Sequence, residues 1–160
     1  MVRQIVTKGS PRGLRRILFR LPVALYRLKL GRLLGGRLIL LTHTGRKSGR
    51  RRQVVLEVVG RPGDGTLLVA SGFGPRAQWF RNVLVDPAVL VTSGSSTRPG
   101  LAAPLPPQES GLAMATYARR HPRLARRLMR FCGYEVDGSE ADYFEVGRDH
   151  IPIVSLRPLH

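Results

Sequence analysis

Apolar residues recur along this chain with two different periods, and the change of period divides it. Across residues 12–30 they fall at Leu14, Ile17, Leu18, Leu21, Leu25 and Leu28, a spacing near 3.6 that predicts one face of a helix. Arg15, Arg16, Arg20 and Arg27 flank that face, and Pro22 kinks or restarts the helix. Beyond residue 36 the runs shorten. Strands are predicted over 37–42, 53–59, 66–71, 89–93, 101–105 and 153–156. Arg61-Pro-Gly-Asp-Gly65 is a strong turn signal between the second and third. A short helix is expected over 78–84, stopped at Asp86-Pro87, and a longer one over 108–131, interrupted near His121-Pro122. Six short strands with a few helices suggest a small barrel, a β-rich α+β fold, rather than a doubly wound sheet. The expected organisation is a basic amphipathic segment over 1–36 followed by a barrel domain over 37–160. With 160 residues, one domain can bury a real core.

Charge adds what hydropathy does not show. The formal net charge is +17, with 27 Lys or Arg against 10 Asp or Glu. Residues 1–52 carry 15 basic residues and no acid, and six arginines fall within 115–130. Six acids fall within 135–149, with Arg148 alone against them. Basic surfaces of this size favour nucleic acid, anionic lipid or phosphorylated ligands. The amphipathic pattern of residues 12–30 suits the surface of an anionic membrane, although such a face also packs on a protein core or a second subunit.

The most informative stretch is Leu41-Thr-His-Thr-Gly-Arg-Lys-Ser-Gly49. An apolar strand delivers the chain into a turn holding two glycines, two cations and the hydroxyls of Thr42, Thr44 and Ser48. Glycine lets backbone N–H groups approach a ligand, and oriented amides form an anion-binding concavity. Arg46 and Lys47 add charge-assisted hydrogen bonds. The spacing is neither a Walker A loop nor a Gly-x-Gly-x-x-Gly unit. A phosphate-binding loop and a plain basic hairpin both fit it.

A second suggestive stretch is Gln78-Trp-Phe-Arg-Asn82. An aromatic pair beside polar groups can stack on a planar ligand, and Trp79 can equally anchor a core. Ala70-Ser71-Gly72 ends a strand in a turn that permits close backbone approach. The single cysteine, Cys132, excludes an intramolecular disulfide and a Cys-rich zinc site, and no metal is expected. The first residues lack the apolar core of a signal peptide, and no run reaches the length of a membrane span.

Thr42-His-Thr-Gly-Arg-Lys-Ser-Gly49, Val69-Ala-Ser-Gly72, Trp79-Phe-Arg-Asn82, Asp86-Pro87 and Ile151-Pro-Ile-Val-Ser-Leu-Arg-Pro158 occur in an order that resembles the deazaflavin-dependent nitroreductase family of actinobacteria. The resemblance spans about residues 37–105 and, more loosely, the last strand. It implies a split β-barrel of the FMN-binding type with flanking helices. The implied cofactor is coenzyme F420, an 8-hydroxy-5-deazaflavin. Arg46, Lys47 and Ser48, with Thr44, would hold its phosphate and polyglutamate tail. The strand from Arg52 through Gln53 and Val54 to Glu57 would line its groove. Val69, Ala70, Ser71 and Gly72, with Gln78, Trp79, Phe80 and Asn82, would contact the ribityl chain and ring.

The implied activity is hydride transfer from the reduced coenzyme to a quinone, enone, nitro compound or similar small-molecule acceptor. Tyr134, Tyr143 and His43 are candidate proton donors. The short 72–78 loop and the Arg- and acid-rich 118–150 region depart from better-known members, so nitro reduction does not carry over. The implied location is the cytoplasm, with peripheral contact at the inner face of the membrane through residues 12–30, and a homodimer fits. Two alternatives stay open: a sibling barrel oxidoreductase using FMN, and a non-catalytic basic protein that binds a cofactor or nucleic acid. Against nucleic acid, no helix-turn-helix or RNA-recognition signature is present.

Overall fold

The computed structural model describes residues 1–4 and 36–160. The helix expected over residues 12–30 lies outside the described residues. Six strands close into an antiparallel barrel: β2 (Leu38–Thr44), β3 (Arg51–Gly60), β4 (Leu67–Ala70), β5 (Ala88–Ser93), β6 (Ser96–Pro104) and β8 (Ile153–Pro158). Their order around the barrel is β2-β3-β4-β8-β6-β5. Two further strands, β1 (Arg3–Gln4) and β7 (Tyr134–Glu135), form a separate small ribbon. Among the described residues, four α-helices flank the barrel: α1 (Gln78–Val85), α2 (Pro107–Arg120), α3 (Pro122–Cys132) and α4 (Glu140–Asp149). This closed barrel is the small barrel that the run of short strands predicts, and with its flanking helices it matches the split β-barrel that the family resemblance implies.

Alternation along the strands builds two cores. Ile39, Leu41, Leu56, Val58, Val69, Val154 and Leu156 point into the barrel, where Trp79, Phe80 and Val83 of α1 join them. Val59, Ala70 and Ile153 instead join Met114, Ala125, Met129 and Val146 of α2, α3 and α4. A register shift between Val58 and Gly60 interrupts β3, a bulge of the kind that bends a strand at a barrel corner.

Helix boundaries follow local chemistry. Asp86-Pro87 ends α1, since the residue before proline avoids helical backbone and Asp86 is extended. Pro122 opens α3 where its missing N–H costs nothing, which separates α2 from α3 at the break the sequence predicts. The predicted elements omit the β1–β7 ribbon, the first half of β6 and helix α4. Strand β6 starts at Ser96, not 101, because its polar first half pairs with β5 from Ser93↔Ser96 through Val89↔Gly100. Helix α4 is capped by Ser139, whose hydroxyl accepts from the Asp142 N–H at 3.2 Å.

Helices α2 and α4 meet through glycines. A Cβ on Gly147 would lie 2.6 Å from the Ser110 carbonyl oxygen and 2.7 Å from the Met114 Cβ. Buried Ser110 ties the layer to the barrel: its Oγ donates to the Gly147 carbonyl at 2.6 Å and accepts from the Ile153 N–H at 2.9 Å. Gly147→Ala is therefore expected to pry α4 from α2 and cost about 1–3 kcal/mol, read as a lower urea midpoint at unchanged slope. An unchanged midpoint would show that the contact is not tight.

Candidate functional site

The turn between β2 and β3 is built by its own backbone. The Gly45 N–H donates to the Arg50 carbonyl and the Gly49 N–H to the Gly45 carbonyl, each at 2.8 Å. Gly49 takes φ of +68°, a left-handed conformation that glycine adopts without strain. A Cβ on Gly45 would lie 2.7 Å from Ser48 Oγ and 3.1 Å from Arg52 Nε. The hydroxyl and the guanidinium thus crowd one glycine. Ser48 Oγ also accepts from the Arg50 N–H at 3.2 Å.

The turn is fastened to α1 by two side chains, Asn82 and Gln78. Asn82, 2% exposed, accepts through Oδ1 from the Arg46 N–H at 3.1 Å and from Arg46 Nη1 at 2.8 Å. Its Nδ2 lies 3.1 Å from His43 Nδ1. Gln78, one turn earlier on α1, accepts from Arg46 Nη1 at 3.0 Å. Residues 32–39 positions apart in the sequence thereby form one rigid basic corner. Arg46, Lys47, Arg50, Arg51 and Arg52 gather at this end of the barrel. Among the described residues, none of them forms an ion pair with an acid.

His43 is 4% exposed. Burial, with the Arg52 charge adding to it, brings its pKa down from 6.5 to about 4. The ring is therefore neutral near pH 7, and Nδ1 accepts from the Asn82 amide. That hydrogen bond places the ring proton on Nε2.

The other expected site residues divide by exposure. Thr44, Lys47, Ser48, Arg52, Gln53 and Gln78 all reach the surface to some degree. Gln53 pairs across the strands with Thr42, its Nε2 donating to Thr42 Oγ1 at 3.4 Å. Trp79 and Phe80, 6% and 7% exposed, belong to the barrel core, and Val54 packs against it. The core-anchor reading of Trp79 accounts for this placement. Ala70 lies in the helical core. Ser71 is fully buried, its Oγ donating to the Gly74 carbonyl at 2.7 Å. A Cβ on Gly72 would meet Cys132 Sγ at 2.8 Å, so that glycine makes room for α3.

The tyrosines named as proton donors sit in the helical layer. Tyr134 is buried with its ring 5.3 Å from His150. Tyr143 is buried beside Arg126, with burial raising its pKa. The sequence reading passed over a third tyrosine. Tyr117 of α2 donates to Glu57 Oε1 of β3 at 2.5 Å. Burial raises the pKa of both groups, and the carboxylate lifts the phenol further. Glu57 is the first acid in the chain and interrupts the run Val54-Val-Leu-Glu-Val-Val59. That intrusion was the available signal.

A family model described as F420H(2)-dependent quinone reductase matches residues 18–131. No curated protein matches the chain. Among solved structures, the chain is similar to an F420-H2 dependent reductase, FDR-A, at 23% identity over 76% of this chain and 94% of that one, with a TM-score of 0.51. It is also similar to Atu2129 of Agrobacterium tumefaciens, a protein of unknown function, at 20% identity over 87% and 55%, with a TM-score of 0.55. A Listeria innocua protein named for pyridoxamine 5'-phosphate oxidase gives 14% identity over 85% and 94%, with a TM-score of 0.50. At these identities the likeness concerns the fold.

The buried histidine makes a measurable prediction. A histidine held neutral in the fold binds its proton more readily when unfolded, so its contribution is present above pH 6.5 and lost as pH falls through about 4. That loss is worth about 2–3 kcal/mol. His43→Gln keeps an acceptor for Asn82 and does not titrate. Urea unfolding between pH 7 and 4 is expected to show a shallower pH slope in this variant. An identical slope would mean that His43 is not held neutral.

Proposed function

The chain belongs to the F420H(2)-dependent quinone reductase family, and from that premise we propose that its basic corner holds the anionic end of coenzyme F420 while a quinone-type acceptor is reduced beside it. The observation that carries this reading is the cluster Arg46, Lys47, Arg50, Arg51 and Arg52, which has no acidic partner among the described residues. Like charges gathered without counter-ions cost energy until an anion arrives. The coenzyme carries a phosphodiester and glutamate carboxylates, and so suits five cations better than the single phosphate of FMN does.

When bound, the reduced coenzyme supplies a hydride; the protein supplies binding, orientation and electrostatics. Arg46 is fixed by three hydrogen bonds, from its backbone N–H and its Nη1, to Asn82 and Gln78, so little side-chain freedom remains to be lost on binding. Lys47 and Arg52 are exposed and meet the charged tail by point attraction. Gln53 and the strand beyond it line the outer face of β3, where the ring would lie. His43 and Asn82 act from behind, as positioning residues. Quinones, enones and nitro compounds all accept a hydride, and the family description favours the quinone.

Two further parts of this reading concern assembly and place. The basic amphipathic pattern of residues 12–30 supports peripheral contact with anionic lipid as a route to a lipophilic acceptor. A homodimer is compatible with the fold. Among the described residues, no helix is long and apolar enough to cross a membrane.

The test is kinetic. Purified protein is expected to oxidise reduced coenzyme F420 only when a soluble naphthoquinone is present. An Arg46→Ala, Lys47→Ala double variant is expected to raise the coenzyme KM tenfold or more with a smaller change in kcat, the mark of lost ground-state binding. No quinone-dependent oxidation by folded wild-type protein would overturn the reading.

A further inference from the structure

One pair of chemically active side chains is left unused by the account above. Arg51, Gln53, Val55 and Glu57 alternate along one face of β3 and pair with Thr44, Thr42, Leu40 and Leu38 of β2. The basic corner stands at one end of this face and the Tyr117–Glu57 pair at the other. Six residues of strand separate Arg51 from Glu57, about 20 Å at 3.3 Å per residue. That is the length scale of a phosphate, a five-carbon chain and a three-ring system laid end to end. A ligand anchored by its phosphate at the corner would bring its ring, and an acceptor stacked on it, towards Glu57.

We infer that Glu57 is the acid that protonates the reduced acceptor, with Tyr117 as its positioning residue. The inference rests on the reading that the coenzyme lies along this face. An acceptor that takes up a hydride holds the incoming electron pair as an oxyanion, an enolate or a hydroquinone anion. The O–H bond of the Glu57 carboxyl breaks, and the new O–H bond forms on that oxyanion. Glu57 is left as a carboxylate and regains a proton from solvent before the next turnover. The acceptor is the oxidant and the reduced coenzyme the reductant.

The surroundings suit this role. Tyr117 occupies Oε1 with its hydroxyl hydrogen, which fixes the carboxyl and leaves Oε2 for a substrate. Glu57 is only partly buried, so it is reachable. Burial holds its pKa above the ordinary carboxylate value, while the Tyr117 hydrogen bond and the Arg37 charge pull it partly back. His121 lies behind Tyr117, ring to ring at 5.7 Å. General acids of this kind contribute about 10²–10⁴-fold to rate. His43, Tyr134 and Tyr143, the donors named from sequence, are each buried, at 3–5% exposure, whereas Glu57 is only partly so.

The experiment uses the full chain and two variants, Glu57→Gln and Tyr117→Phe. Coenzyme F420 binding is measured first, so that quinone reduction by each variant is followed with the coenzyme saturating. Quinone reduction is then followed against pH. Wild-type kcat should fall as pH rises through the Glu57 pKa, because the acid must be protonated. Glu57→Gln should lose at least tenfold in kcat and lose that alkaline limb. In Tyr117→Phe the limb should move to higher pH, since a hydrogen bond that stabilised the carboxylate is gone. Carbon-13 NMR of the Glu57 carboxyl, without coenzyme, should show the same upward displacement. A Glu57→Gln enzyme within twofold of wild type, or a limb that stays in place while the NMR titration moves, would overturn the assignment. Absence of coenzyme binding by wild-type protein would overturn the functional reading and the acid assignment together. Failure of the acid assignment alone shows with binding intact.

Discussion

The basic end of this barrel depends on one buried amide. Asn82 reaches from α1 to three atoms on two neighbouring residues of the chain's most charged loop. Without it His43 Nδ1 would be a buried polar atom lacking its partner, at a cost of about 1–3 kcal/mol, and the partly buried Arg46 N–H would lose its acceptor. With it, the loop keeps one shape although its cations repel one another. The barrel in turn holds Asn82 in place, because Trp79, Phe80 and Val83 of the same helix are sunk in its interior. A hydrophobic plug thus sets the position of a polar hub, and the hub sets the position of the charges.

This division of labour explains why residues in one short motif have different roles. In Gln78-Trp-Phe-Arg-Asn82, Trp79 and Phe80 supply burial, Asn82 supplies connection, and Gln78 meets Arg46 at the surface. His43 follows the same logic. A histidine beside Arg52 in a dry interior is neutral, and a neutral ring is what lets it accept from an amide without adding a further charge to the corner. The helical layer on the opposite flank contributes stability through its own core, and through Tyr117 it reaches back to β3.

Most of the barrel was legible because its strands are short apolar runs bounded by turn residues. Leu38–Thr44 and Arg51–Gly60 carry such runs, Leu38 to Leu41 and Val54 to Leu56, on either side of a glycine turn, and prolines at 87 and 122 marked helix ends. What was missed has identifiable causes. The first half of β6, Ser96 to Gly100, is polar and hid its pairing. Helix α4 carries four acids, Glu140, Asp142, Glu145 and Asp149, which blur its apolar face, yet Ser139-Glu-Ala-Asp142 was a visible start signal. Contacts between distant positions, Asn82 with His43 and Tyr117 with Glu57, leave no periodic trace in a single sequence. The loop itself was found from glycine, charge and hydroxyl spacing, but which of its neighbours face a ligand and which support it depends on burial.

The central claim is that the corner around Arg46 selects the anionic tail of a deazaflavin coenzyme. The most direct measurement is calorimetric titration of the protein with coenzyme F420 and with FMN at two salt concentrations. The account predicts that coenzyme F420 binds the tighter of the two, that its affinity weakens as salt screens the exposed cations, and that an Arg46→Ala, Lys47→Ala variant loses this preference. Equal affinity for the two ligands, or a preference that survives loss of both cations, would contradict it.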